Sequence, residues 1–219
     1  MNEEQVRLEI CRVGRSLFER GYAHSTSGNL SVRLGEEYLI TPSDACLGFL
    51  RAGELAKLSA DGVQMSGERA SKASALHRAI YAADPEANCV LHTHSTSLVA
   101  LTLSRNASEE ADLLPPITPY FVMKVGHVPR IAYRRPGSEE AVDLVRAAIL
   151  RMRSRGAPIR AVMLDRLGPV VWHRSLHEGM AALEELEETA RLWRMLDPKP
   201  APLPEEAIEE LRRVFGASW

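Results

Sequence analysis

His92 and His94 are the residues of this chain whose type and spacing bear most directly on chemistry. They close the stretch Asn88-Cys-Val-Leu-His-Thr-His94, a short apolar run that ends in two imidazoles one residue apart. On a strand, alternate side chains share a face, so both rings would project together. Two neutral imidazoles on one face at a strand end can share a transition-metal ion. The other reading gives both histidines a purely structural role, and the spacing alone leaves the two open.

Three further strings carry small hydroxyl residues and glycine. In Ser25-Thr-Ser-Gly-Asn29, hydroxyls and backbone N–H groups can converge on an anion; an ordinary turn between helix and strand has the same composition. Thr41-Pro-Ser43 follows an apolar run. Ser66-Gly-Glu-Arg-Ala-Ser-Lys72 places Ser71 and Lys72 at the predicted start of a helix, where a phosphate could sit. Equally, Ser71 could be a cap and Lys72 a surface charge.

The elements that must position these groups follow from periodicity. Val6, Ile10, Val13 and Leu17 predict a helix over about 3–20, ended by Gly21. Strands are predicted over Leu30–Leu34 and Tyr38–Thr41, and a hairpin from Leu55–Ser59 to Val63–Ser66. A helix over Ser71–Ala83 leads into the strand Cys89–Leu91, and Ser95 would cap a helix running to about Leu103. Residues 104–119 read as loop, followed by short strands at Val125–Val128 and Arg130–Ala132. Ser138 opens a helix to about Arg155, with Glu139 and Glu140 favourable at its start. Ala161–Leu164 and Val170–Trp172 pair around Gly168-Pro169. A long helix spans Ser175–Leu196, and Asp197–Pro204 is an extended linker to a short helix over Glu205–Phe215. Helices interleave with strands, yet several strand pairs are hairpins. The expectation is a mixed sheet covered by helices.

The chain's 219 residues suffice for one sizeable core. A formal charge of −2 gives no bulk electrostatic case for nucleic acid or an acidic membrane. No apolar run is long enough to span a bilayer, and the start, Met-Asn-Glu-Glu-Gln, has no signal-peptide apolar region. Cys11, Cys46 and Cys89 lack metal-type spacing; an odd, sparse count suits reduced thiols and a cytoplasmic setting.

In order, Gly21, Ser25-Thr-Ser-Gly-Asn29-Leu-Ser31, Thr41-Pro-Ser43, Ser66-Gly67, Ser71-Lys72, Leu76-His77 and His92-Thr-His94-Ser95 resemble the class II aldolase/adducin family, over about Leu8 to Leu196. Cys46-Leu-Gly48, Ile117–Met123, Tyr133-Arg-Arg-Pro-Gly137 and Glu184–Ala190 are similar to its 3-oxo-tetronate 4-phosphate decarboxylase branch. The resemblance implies a three-layer α/β/α fold around a central mixed, largely antiparallel sheet, formed by residues 1–196. Residues 197–219 would add a proline-rich linker and a short helix packing on the same domain or a neighbouring subunit. It implies a homotetramer with interfacial active sites and a divalent metal, zinc or alternatively manganese or another ion, on His92, His94 and a later histidine. A phosphorylated sugar acid or sugar would sit among Thr26, Gly28, Asn29, Ser43, Ser71 and Lys72. Tyr120 falls where the family places a catalytic tyrosine donated by a neighbouring subunit.

Two positions depart from that pattern. The family glutamate after the Lys72 position is Ala73 here, and the third metal histidine is Leu167, within Arg166-Leu-Gly-Pro169. A retro-aldol cleavage needs a base to take a hydroxyl proton, so Ala73 weighs against it. A β-keto acid loses carbon dioxide with no base, provided its ketone is polarised. The reading is therefore a carbon–carbon lyase, a decarboxylase of a phosphorylated 3-oxo sugar acid. The alternative is an impaired or repurposed family member acting as a sugar-phosphate binder or assembly protein. Asp165, His24, His77 and His173 are the candidates to replace the missing ligand, and Arg166 could instead bind a carboxylate there.

Overall fold

The computed structural model describes residues 2–103 and 112–219. It contains α1 (Glu3–Glu19), β1 (Asn29–Leu34), β2 (Glu37–Ile40), β3 (Ala56–Leu58), β4 (Gln64–Ser66), α2 (Ser74–Ala83), β5 (Cys89–His92) and α3 (Thr96–Thr102). These are followed by α4 (Pro119–Lys124), β6 (Arg130–Ile131), α5 (Glu139–Ser154), β7 (Ala161–Leu164), β8 (Gly168–His173), α6 (Leu176–Met195) and α7 (Glu205–Phe215). The strands form one sheet in the order β4-β3-β2-β1-β5-β8-β7-β6. Every pairing is antiparallel except β6 with β7. The sheet is thus mixed and largely antiparallel, as the resemblance implied.

Strand alternation divides the core into two layers. Leu30, Val32, Cys89, Leu91, Ala161, Met163 and Val171 pack with the buried faces of α1, α3, α4 and α6. Their neighbours Val90, Val162, Leu164, Val170 and Trp172 pack with α2 and α5 on the opposite side. This is the period-two rule at work: one strand serves both faces of a three-layer fold.

Each helix is fixed by its own sequence. Asn2 and Gln5 form a reciprocal capping box at α1, whose Val6, Ile10, Val13 and Leu17 are buried. The Ser175 hydroxyl accepts from Glu178 N–H at the start of α6. Gly179 lets α6 lie close to the sheet, because a Cβ there would come 2.6 Å from Leu91 Cδ1. Beneath α2 and α5, the buried carboxylate of Asp84 receives Arg153 at 3.0 Å, Arg160 at 2.8 Å and the Trp172 indole at 3.0 Å. A carboxylate at this depth is tolerable because it is paired and hydrogen-bonded.

Four local expectations are corrected. Val125–Val128 is not a strand; α4 ends at Lys124 and its cap and turn follow. The loop predicted over 104–119 holds the start of α4 at Pro119, where the Thr118 hydroxyl accepts from Phe121 N–H at 3.1 Å; residues 104–111 of that loop lie outside the described residues. The helix expected from Ser71 begins at Ser74, with Ala73 as its cap. Ser95 precedes α3 but does not cap it, because its hydroxyl bonds Thr93 Oγ1 at 2.7 Å. Instead the Glu187 carboxylate, from α6, accepts from Ser97 N–H at 2.8 Å and Leu98 N–H at 3.1 Å.

The terminal segment packs on this same body. Leu203 N–H bonds Pro116 O at 2.8 Å, α7 lies against α4, and Trp219 stacks on His127 with ring centroids 4.4 Å apart. No helix among the described residues is long and apolar enough to cross a membrane.

Candidate active site

One cleft of about 290 Å³ opens at an end of the sheet, on the α2 and α5 side. Thr26, Gly28, Asn29, Ser43, Ser71 and Lys72 line it together with His92, His94, Ala73 and Leu167. Five sequence segments therefore meet there, each delivered by a definable device. Asn29 opens β1 and pairs with His92 at the end of β5, so the two residues share a face of the sheet. Gly28 precedes them at φ 86°, and a Cβ there would come 2.8 Å from His92 O; only glycine suits that backbone and that approach. An isolated bridge between Pro42 and Ala70, with Ser43 N–H to Arg69 O at 2.8 Å and Ser71 N–H to Thr41 O at 3.2 Å, brings the second and third strings side by side.

His92 is the last residue of β5, so strand alternation does not extend to His94. The chain turns there, with Thr93 and Ser95 buried and their hydroxyls bonded to each other. Both imidazoles nevertheless reach the cleft, with ring centroids 5.1 Å apart. His92 Nδ1 stands 2.9 Å from Pro169 O. A carbonyl only accepts, so Nδ1 carries the proton and Nε2 keeps its lone pair. Burial, with the neighbouring His94, pushes the His92 pKa down to about 4. Burial, then His24, lowers that of His94. Both rings are neutral near pH 7, the state in which imidazole ligates a metal.

This pair suits a divalent cation, but it is only part of a ligand set. The described residues contain no group of three His, Cys, Asp or Glu placed to hold one ion. Leu167 and Ala73 present carbon to the cleft where the family pattern places a histidine and a glutamate. The candidate replacements fare differently. Asp165 is held by Arg130 through two bonds of 3.0 and 2.7 Å. His173 is paired with Cys89 at the opposite end of β5 and bonds Glu178 at 2.9 Å. His77 is fully buried beneath the site, with Nδ1 on Ser31 Oγ at 2.7 Å and Nε2 without a partner; burial, with His92 nearby, lowers its pKa to about 3. His24 remains close, its ring edge-on to His94 at 6.2 Å, although it does not line the cleft. Arg166 is exposed and lies outside the lining.

Tyr120 does not enter this cleft. It lies on α4 with 59 % of its surface exposed. Sequence reasoning missed the wall formed by Arg135, Pro136, Gly137, Ser138, Ala141 and Val142. The string Tyr133–Gly137 was visible, but nothing in its composition tells that the turn before α5 folds over Lys72. Only the sheet order, which sets β6 at an edge and α5 beside α2, reveals it.

Residues 8–194 match the model of the class II aldolase and adducin N-terminal domain. The chain is 49 % identical over 222 residues, covering 99 % of both chains, to a 3-oxo-tetronate 4-phosphate decarboxylase of Cupriavidus necator. It is 40 % identical over 200 residues, 90 % of both chains, to the protein of the same name in Escherichia coli K12. Among solved structures it is similar to YgbL of Escherichia coli, with a TM-score of 0.87 and 38 % identity, covering 96 % of this chain and 99 % of that one. The fold, the order of the motifs around the cleft and these matches agree: the chain belongs to the class II aldolase and adducin family.

Proposed function

We propose that this protein is a carboxy-lyase that decarboxylates a phosphorylated 3-oxo sugar acid of the 3-oxo-tetronate 4-phosphate type. The observation that supports this reading is the convergence, in one cleft, of the 26–29 turn, Ser43, Ser71 and Lys72 with two neutral imidazoles, His92 oriented by Pro169 O, and no carboxylate at position 73. The relatives' names supply the substrate class.

The reaction breaks the C1–C2 bond, and its electron pair passes into an enolate spread from C2 to the C3 oxygen. Carbon dioxide leaves from C1, and C2 then takes a proton. The Ser43 and Ser71 hydroxyls, the 26–29 turn and Lys72 bind the phosphate and so fix the ketone toward His92 and His94. Leu76, Val142, Leu164 and Leu167 exclude water from one wall. A divalent ion on the two imidazoles, zinc by donor preference or manganese, supplies Lewis-acid polarisation of the ketone when bound. Ala73 offers no base, and this reaction needs none. Tyr120, exposed on its own subunit, would protonate C2 in the cleft of a neighbouring copy if the chain forms the homotetramer that the resemblance implies.

Ala73 and Leu167 also support a second reading, a binder that has lost turnover. The two separate in one assay of substrate loss with excess zinc. The decarboxylase reading expects turnover that falls at least ~100-fold in His92→Ala, on the order of 3 kcal/mol of transition-state stabilisation. Substrate binding without turnover in the parent protein supports the binder.

A further inference from the structure

We propose that Arg135 recognises the substrate's carboxylate and so selects a phosphorylated acid over a phosphorylated sugar; this rests on the decarboxylase reading above. Lys72 and Arg135 are the only lysine or arginine residues lining the cleft among the described residues, and Asp44 is its only acid. Asp44 is already paired with Arg69 at 3.2 Å. The substrate class brings two anionic ends, a phosphate and a carboxylate, so each cation has one to meet.

The two cations come from different elements. Lys72 stands in the turn before α2, beside Ser71 and the strings that carry Ser43 and the 26–29 turn. Arg135 stands in the connection from β6 to α5, which meets the Lys72 backbone at Gly137, where a Cβ would lie 3.8 Å from Lys72 O. Its neighbour Arg134 is committed, with Nη1 on Tyr133 O at 2.9 Å and Nε 2.7 Å from Glu140. Arg135 makes no side-chain hydrogen bond or ion pair among the described residues. Apart from the Ser138 hydroxyl, the wall beside it is apolar: Pro136, Ala141, Val142 and Leu167.

A carboxylate facing that wall without a cation would lose water and gain only the neutral Ser138 hydroxyl in return. The guanidinium fork is the side chain best shaped to take both carboxylate oxygens at once. Arg135 is exposed, so solvent screens the pair. It therefore sets which molecule binds, and how C1 points, more than the rate at which C1 departs. The signature is a change in KM with kcat largely kept.

The test is calorimetric titration of Arg135→Gln, Arg135→Lys and the parent with three unreactive probes. These are 2,3-dihydroxy-4-phosphobutanoate, which keeps both anions; erythritol 4-phosphate, which lacks the carboxylate; and inorganic phosphate. Arg135→Gln should weaken the acid roughly tenfold or more, leave the other two within about twofold, and be partly rescued by Arg135→Lys. Unchanged affinity for the acid overturns the assignment. Equal weakening of all three probes overturns it too, because Arg135 would then be holding the phosphate. If the acid binds the parent in an Arg135-dependent way but no carbon dioxide is released from the keto acid, the decarboxylase reading fails and the recognition assignment stands.

Discussion

His92 shows how little separates a structural histidine from a ligand. Its Nδ1 bond to Pro169 O fixes both tautomer and direction, and burial keeps it neutral. The i, i+2 spacing was legible in the sequence; the carbonyl that orients the ring was not, because Pro169 lies 77 residues away. Ala73 and Leu167 were legible as departures, and their joint exposure to one cleft gives them a shared consequence. With two protein donors in place of three, metal should bind measurably but loosely. Equilibrium dialysis against zinc should give stoichiometric binding that disappears in His92→Ala and tightens roughly tenfold in Leu167→His. No gain in Leu167→His would mean that position 167 does not face the ion.

Elements with strong local signals were readable: α1 from its apolar spacing, and β7 and β8 from their apolar runs around Gly168-Pro169. Two failures have physical causes. The six residues of α4 give too short a window for helical periodicity to show. The start of α3 is capped across 90 residues of sequence by Glu187, while Ser95, the local candidate, is spent on Thr93. That long-range cap ties α3, which directly follows His94, to α6. Glu187→Ala should leave the Ser97 and Leu98 N–H groups without their acceptor and cost about 1–3 kcal/mol. Urea unfolding would read this as a lower midpoint at unchanged slope; a change under about 0.5 kcal/mol would show that water caps the helix equally well.

At the scale of the molecule, the mixed sheet is what lets distant strings meet. Placing β5 between β1 and β8 sets Asn29, His92 and Pro169 side by side, and α2 and α5 roof the same end. Tyr120 lies outside the cleft of its own subunit, so the proposal gives it to a neighbouring copy. Subunits carrying His92→Ala and Tyr120→Phe should each be nearly inactive alone, and after unfolding and co-refolding should regain a fraction of activity, because some sites then unite two intact residues. No recovery in mixed oligomers would assign Tyr120 to its own subunit or to no catalytic role.

This chain, alanine at position 73 included, is proposed to break the C1–C2 bond of a phosphorylated 3-oxo acid. That cleavage is tested most directly by carbon-13 NMR on substrate labelled at C1, with zinc in excess. The label should leave as carbon dioxide and bicarbonate at a rate well above the spontaneous one, and His92→Ala should abolish the excess. Label retained in the bound acid, or appearing in a smaller organic acid released by scission of C2–C3, would contradict this.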